Sequence, residues 1–282
     1  MLAIARVKSP RYYISTAQEQ IDFDHTKPGE PPGRWLDTEG ASFLGLPQTV
    51  NRFDFLSLTQ EHALKSETLF ESTTAKEKEA LGWDLTFSAP KSVSIIWALS
   101  NDALRAKIEQ AHDTAITKAI EYLEQEALEG DKSLVVATFQ QSTSRDGGNP
   151  VPDPLLHTHA IAIPIIYDKG QNSMQPLYPE AGQLYRHKMA AGALYRLELA
   201  TAMQRTIEVE LEREKSWFEV AGFSREHGNY QEVMNYFSSR RLQIEAISPG
   251  DAIEAQKIAY ATREKKEGAI PRRELFSQWQ ET

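Results

Sequence analysis

Hydrophobic and polar positions alternate in some stretches of the chain and recur every three or four residues in others, and these two periods divide it into elements. Met1 to Val7 reads as a short strand stopped by Pro10, and the polar, Pro- and Gly-rich run from Thr26 to Gly33 as a loop. In "DLTFSAPKSVSIIWAL" (84–99), Leu85 and Phe87 alternate with polar residues, which predicts two short strands, or a strand and a bend, broken at Pro90. The clearest helix follows, with Ser100 as its N-cap, a stripe at Leu104, Ile108, Ala111, Ala115, Ala119, Leu123 and Ala127, and Gly130 as its stop. "SLVVATFQQ" predicts a strand. A loop with Gly147, Gly148, Pro150, Pro152 and Pro154 leads from it into a second strand that carries "HTHAIAIPII". Beyond residue 180 the pattern is mostly helical, and a further helix is expected from Ser248, with Pro249 at its first position and Asp251 in its first turn. Strands with interleaved helices, then helices alone, imply an α+β core with a C-terminal helical lobe.

Side chains alternate along a strand, so His157, His159, Ile161, Ile163 and Ile165 share one face, while Thr158, Ala160 and Ala162 take the other. On the preceding strand Val135, Ala137, Phe139 and Gln141 also share a face. If the two strands pair antiparallel, Gln141 lands beside the histidines, and three possible ligands converge where the sheet meets solvent. Two histidines on a strand can equally hydrogen-bond the adjoining loop and do nothing more, and their spacing alone does not choose between these roles.

Composition narrows the chemistry. The 282 residues contain no cysteine, which excludes disulfides, thiol nucleophiles and cysteine-ligated zinc, so a metal would be held by His, carboxylate or amide oxygen. No stretch approaches the roughly 18 to 20 apolar residues of a membrane span, and the N-terminus lacks a signal-peptide core, so a soluble, intracellular protein is expected. The net charge of −9 argues mildly against nucleic acid. Acidic residues are dense in 121–131 and 206–219, however, and can lie on faces away from DNA.

Five blocks together resemble one family, the TrwC/TraI-type (MobF) conjugative relaxases of the HUH endonuclease superfamily. They are "RYYIS" near the N-terminus, "PGRWLDTEGASFLGL" (32–46), "GWDLTFSAPKSVSI" (82–95), "TSRDGGNPVPDPLLHTHA" (143–160) and "LYRLELATAMQ" (194–204). The resemblance implies a central antiparallel sheet flanked by helices, with residues 1–210 as catalytic core and 211–282 as a helical lobe of the same structural unit that closes over DNA. It implies a metal-dependent enzyme, cytoplasmic in a bacterium, that nicks one strand at a plasmid transfer origin and stays joined to the 5′ end through a phosphotyrosine. Attack by a phenolate on a phosphodiester needs a tyrosine within reach, a cation to neutralise charge on the phosphate oxygens and a group to take the phenol proton. By the resemblance, Tyr12 is the first candidate nucleophile and Tyr13 the second. Asp84 orients a metal-binding histidine and can help deprotonate the tyrosine, and Gln141, His157 and His159 are the metal ligands. Lys91 and Arg145 match basic positions near the scissile phosphate or DNA path, and Arg240 and Arg241 belong to a basic C-terminal set with Arg263, Lys265, Lys266, Arg272 and Arg273.

Two departures alter that picture. The usual third ligand is histidine, but Gln141 stands in its place; an amide oxygen is a neutral, harder donor that favours Mg²⁺ or Mn²⁺. Gln141 is therefore a working ligand or the mark of a lost one, and the second case describes a catalytically impaired, DNA-holding module. Where many relatives carry a second tyrosine pair, this chain has Phe23, Asp24 and His25. Expected partners are single-stranded DNA and a hairpin at the origin, conjugation accessory proteins and a C-terminal helicase, with no membrane. The chain has no G-x-x-x-x-G-K-[ST] phosphate loop, so the helicase is expected in a longer protein from which this domain is cut.

Overall fold

The computed structural model describes residues 1–7, 30–59, 81–144, 149–178, 180–214, 217–223, 228–247, 258 and 270–282. Six strands form its main sheet: β1 (Leu2–Arg6), β2 (Arg34–Trp35), β3 (Trp83–Ser88), β4 (Lys132–Thr143), β5 (Pro154–Asp168) and β6 (Ser173–Pro176). Their order is β1-β3-β5-β4-β2, with β6 paired to the C-terminal end of β5. The β1–β3, β2–β4, β3–β5 and β5–β6 pairs are antiparallel. A separate hairpin joins β7 (Leu211–Glu214) to β8 (Trp217–Val220). The described helices include α1 (Glu39–Phe43), α2 (Lys91–Leu99), α3 (Asp102–Ala127), α4 (Ala181–Ala202), α5 (Gln231–Tyr236), α6 (Ser239–Ile247) and α7 (Arg272–Glu281). The expected α+β class with an antiparallel sheet is the one observed.

Two compact units share these elements. One comprises residues 1–88, 112–141 and 157–199, and the other residues 89–111, 142–156 and 200–282. In the first, strand alternation sorts the sheet into two faces. Val135, Ala137 and Phe139 of β4 and Ile161, Ile163 and Ile165 of β5 bury one face with Val7, Trp35, Val50 and Phe55. Each large side chain taken out of water there contributes about 1.5–3 kcal/mol. On the opposite face Phe87 packs against Tyr195 of α4 with ring centroids 5.2 Å apart. The same helix comes so close to β1 that a Cβ at Gly192 would sit 3.1 Å from that of Leu2. Gly82, entering β3 at φ +139°, tolerates no side chain, because a Cβ would lie 2.7 Å from the Ala162 carbonyl oxygen.

In the second unit the chain after Pro90 is a helix, α2, where a second strand or a bend was expected. Ser92, Val93, Ser94, Ile95, Trp97 and Ala98 are all buried, so the β-branched run packs on most sides and its period carries little signal. Pro90 offers no side-chain cap. The carboxylate of Glu219 on β8 caps the helix instead, accepting from Ser92 N at 2.9 Å and from its Oγ at 2.6 Å, while that Oγ accepts from Val220 N at 2.8 Å. α3 begins one residue later than expected. Asn101 caps it, accepting from Leu104 N at 2.9 Å, and Ser100 closes α2 by donating to the Ile96 carbonyl. Gly130, at φ +83°, follows its end as expected. The stretch after residue 210 was expected to be helical and opens with the β7–β8 hairpin instead. The helix expected at Ser248 to Asp251 lies outside the described residues.

Behind the sheet, α3 contributes a fully buried histidine. His112 Nδ1 meets the Tyr195 hydroxyl at 2.8 Å and Nε2 the Thr158 hydroxyl at 3.0 Å, and burial pushes its pKa down from 6.5 to about 3. The unfolded chain therefore binds the proton first, and stability present at neutral pH is lost as pH falls below 6.5. Between about pH 7 and about pH 5 this group should remove about 2 kcal/mol of unfolding free energy. Urea unfolding of wild type and His112→Gln at both values isolates that part of the slope, which the variant should lack.

Candidate metal and DNA-cleavage site

The β3–β5 register aligns Thr86 with His159, Ser88 with His157 and Asp84 with Ile161, so Asp84, Thr86 and both histidines project from one sheet face. His159 Nδ1 lies 2.9 Å and 3.1 Å from the two carboxylate oxygens of Asp84. Thr86 Oγ1 donates to Asp84 Oδ1 at 3.0 Å and stands 3.3 Å from the same imidazole nitrogen. A carboxylate can only accept, so a proton belongs on Nδ1; in the neutral ring this tautomer leaves the lone pair on Nε2, the form a metal-binding imidazole needs. His157 packs edge-on to His159, with ring centroids 5.2 Å apart, and is mostly buried. Gln141 follows Val135, Ala137 and Phe139 on the same face of β4, the strand next to β5. Among the described residues no group of three or more His, Cys, Asp or Glu is arranged to hold a metal.

The remaining sequence candidates are scattered. Tyr12, Tyr13 and Arg145 lie outside the described residues. The Lys91 ammonium donates to the Pro154 carbonyl at 2.8 Å, and burial pushes its pKa down to about 8 against the opposing pull of Asp153 and Glu219. On α6, Arg240 Nη1 donates to Gln243 at 3.2 Å, and Arg241 forms an i,i+4 pair with Glu245. Arg272, read as part of the basic set, instead pairs with Glu109 and lies over the Trp97 and Phe276 rings.

A model of the TrwC relaxase family matches residues 7–282. The chain belongs to the TrwC relaxase family. It is 27% identical over 305 residues to the multifunctional conjugation protein TraI of Escherichia coli strain K12, covering all of this chain and 16% of that protein. A second Escherichia coli TraI is 26% identical over 267 residues, covering 88% of this chain and 14% of the relative. The chain thus spans about a sixth of the length of these curated relatives. Among solved structures, the metal-bound conjugative relaxase TrwC in complex with oriT DNA matches with a TM-score of 0.76 and 26% identity, covering all of this chain and 96% of that one. TrwC complexed with a 27-mer DNA comprising the recognition hairpin and the cleavage site matches at 0.72 and 25% identity, with 100% and 96% coverage.

For a TrwC-family chain, the "PVPDP" segment before the histidines is more than a loop. Trp279 Nε1 on α7 donates to the Pro152 carbonyl at 2.9 Å, and Lys91 on α2 donates to that of Pro154. Between them Asp153 Oδ2 accepts from Ser239 N at 2.8 Å and its Oγ at 2.7 Å, capping α6. Asp153 had no assigned role in the sequence; the only local signal was an aspartate before proline, and its helix lies more than eighty residues away. Asp153→Ala should lower stability by about 1–2 kcal/mol, as loss of an N-cap does, and Asp153→Asn by clearly less. Urea unfolding checks this, and equal losses would remove the capping account.

Proposed function

We propose that this chain is a site- and strand-specific DNA relaxase. In this reading it nicks one strand at a transfer origin, forms a 5′-phosphotyrosyl link and so initiates conjugative transfer. The observation that carries the reading is the Asp84–His159 pair beside His157, in a chain whose family match covers nearly its whole length. In the proposed step the Tyr12 phenol oxygen bonds to phosphorus as the bond to the 3′ oxygen breaks. The phenol proton passes to a base, for which Asp84 is the candidate, and the departing 3′ oxygen is protonated; reversal rejoins the strand. Tyr13 is the second candidate nucleophile. Support comes from β1, which pairs Ala5 with Asp84 and ends at Arg6. Tyr12 lies six residues further on, a span of at most about 22 Å.

The donor set fits a divalent cation: one imidazole set in its Nδ1–H form by a carboxylate, a second beside it, and an amide on the same face. His157, His159 and Gln141 would hold it, with Mg²⁺ or Mn²⁺ favoured by the oxygen donor. When bound it supplies positive charge against the phosphate oxygens during attack. Residues 1–210 would carry the chemistry. Residues 211–282 would close over single-stranded DNA and an adjoining hairpin, with Arg145, Arg240 and Arg241 as phosphate contacts. Lys91 is the weakest of the proposed contacts, because its ammonium already braces Pro154. Gln141 favours one second reading, a relaxase-like module that holds an origin without cutting it.

The test is a gel assay for covalent protein–DNA adducts on single-stranded fragments tiling the intergenic DNA beside the gene, with Mg²⁺ or Mn²⁺ and with EDTA. A metal-dependent adduct that disappears in Tyr12→Phe is expected. Tight binding to one fragment without any adduct would favour the second reading instead. Calorimetric titration with Mn²⁺ should give Gln141→His a tighter site than wild type, by about 10-fold, since imidazole is the stronger donor.

A further inference from the structure

We propose that His112 is a positioning residue that acts through Thr158 on the two histidines flanking it. The inference rests on the reading of His157 and His159 as metal ligands. Thr158 is the middle residue of the His-Thr-His tripeptide, and strand alternation sends its side chain through to the opposite face of the sheet. There its hydroxyl meets His112 Nε2 at 3.0 Å, and His112 Nδ1 meets the Tyr195 hydroxyl at 2.8 Å. Thr158 is 2% exposed and the other two side chains are completely buried.

The surrounding layer gives no reason for this polar triad. Leu85, Phe87, Ala160 and Ala162 make the same sheet face apolar, and a valine at position 158 would have the shape of threonine and an equal preference for strand. The hydroxyl adds direction. A neutral imidazole has one donor and one acceptor, both are engaged here, and a satisfied buried network fixes one arrangement where apolar packing tolerates several. Phe87, the register partner of Thr158, also packs on the Tyr195 ring, so β3, β5, α3 and α4 meet at this point. A small shift of Thr158 passes directly to the imidazoles on either side of it, and ligand sets of this kind work within about 0.5 Å. Asp84 and Thr86 hold His159 from the front of the sheet, and His112 holds the tripeptide from behind.

The test uses the 282-residue chain and reads Co²⁺ affinity by calorimetry and the visible Co²⁺ spectrum, with thermal unfolding beside them. The variants are Thr158→Val, Thr158→Ser and Tyr195→Phe, with Ile116→Val as a control that disturbs buried α3 packing one turn from His112 and leaves the polar groups of the triad in place. Thr158→Val should bind Co²⁺ about 10-fold more weakly with an altered spectrum, as loss of a supporting partner does, and Tyr195→Phe should move both in the same direction. Thr158→Ser, which keeps the hydroxyl, should stay near wild type, and so should Ile116→Val despite its lower melting temperature. Wild-type affinity and spectrum in Thr158→Val and Tyr195→Phe would overturn the inference, as would an equal loss in Ile116→Val. Should wild type bind no cation, the metal reading fails, and the inference is decided by the imidazole carbon-bound proton signals of His157 and His159 in NMR spectra. Displacement in Tyr195→Phe but not in Ile116→Val sustains it, and displacement in neither, or an equal displacement in both, overturns it.

Discussion

A slip of β5 by one residue against β3 would turn Thr158 toward Asp84 and send both histidines into the apolar layer behind the sheet. Everything proposed for the site depends on preventing that slip. The apolar set does most of it. Ile161, Ile163 and Ile165 are buried with Val135, Ala137 and Phe139 on one face and Ala160 and Ala162 are buried on the other, so the alternative register would bury polar groups behind the sheet and force the isoleucines into spaces packed for alanines. The Asp84–His159 and His112–Thr158 contacts then lock the same register from opposite sides. The histidines are thus the polar end of a row whose position the isoleucines determine.

The second unit relies on a different device. Two of its helix N-termini are capped by carboxylates distant in sequence, α2 by Glu219 and α6 by Asp153. Each carboxylate accepts from a serine backbone amide and the same serine's hydroxyl, and each meets the positive end of a helix dipole. Burial raises the pKa of Glu219 while the Ser92 bonds pull it back down, so the cap is one in which desolvation and hydrogen bonding oppose each other. Pro152, Asp153 and Pro154 are consequently held by α7, α6 and α2 in turn. A segment that reads as a proline-rich loop is anchored at three successive residues.

That difference explains what was legible in the sequence. Alternation along β5, the stripe of α3 and the Gly130 stop are local patterns with a fixed period, and the expected strands and helix are present. The shared face of Asp84, His157 and His159 also follows from period two, given the pairing of β3 with β5. α2 was missed because burial on most sides erases helical periodicity, and its cap comes from residue 219. The β7–β8 hairpin was missed because "LEREKSWFEV" is rich in charged residues that also suit a helix surface. His112 lies within a helix whose stripe is otherwise aliphatic, where only three-dimensional contact with Thr158 and Tyr195 distinguishes it from a core-filling residue.

Gln141 changes how the proposed site must work. Imidazole is a strong donor, and a set of three would bind a divalent cation with little help from its surroundings. With an amide oxygen as third donor, the affinity depends more on how well the two histidines are held before the cation arrives, because preorganisation replaces donor strength. Such support is visible around both. His159 is held by Asp84 and Thr86, and the tripeptide by a buried imidazole that is neutral at physiological pH, since burial pushes its pKa down to about 3. The weaker the third ligand, the more the site's chemistry rests on residues that never touch the metal.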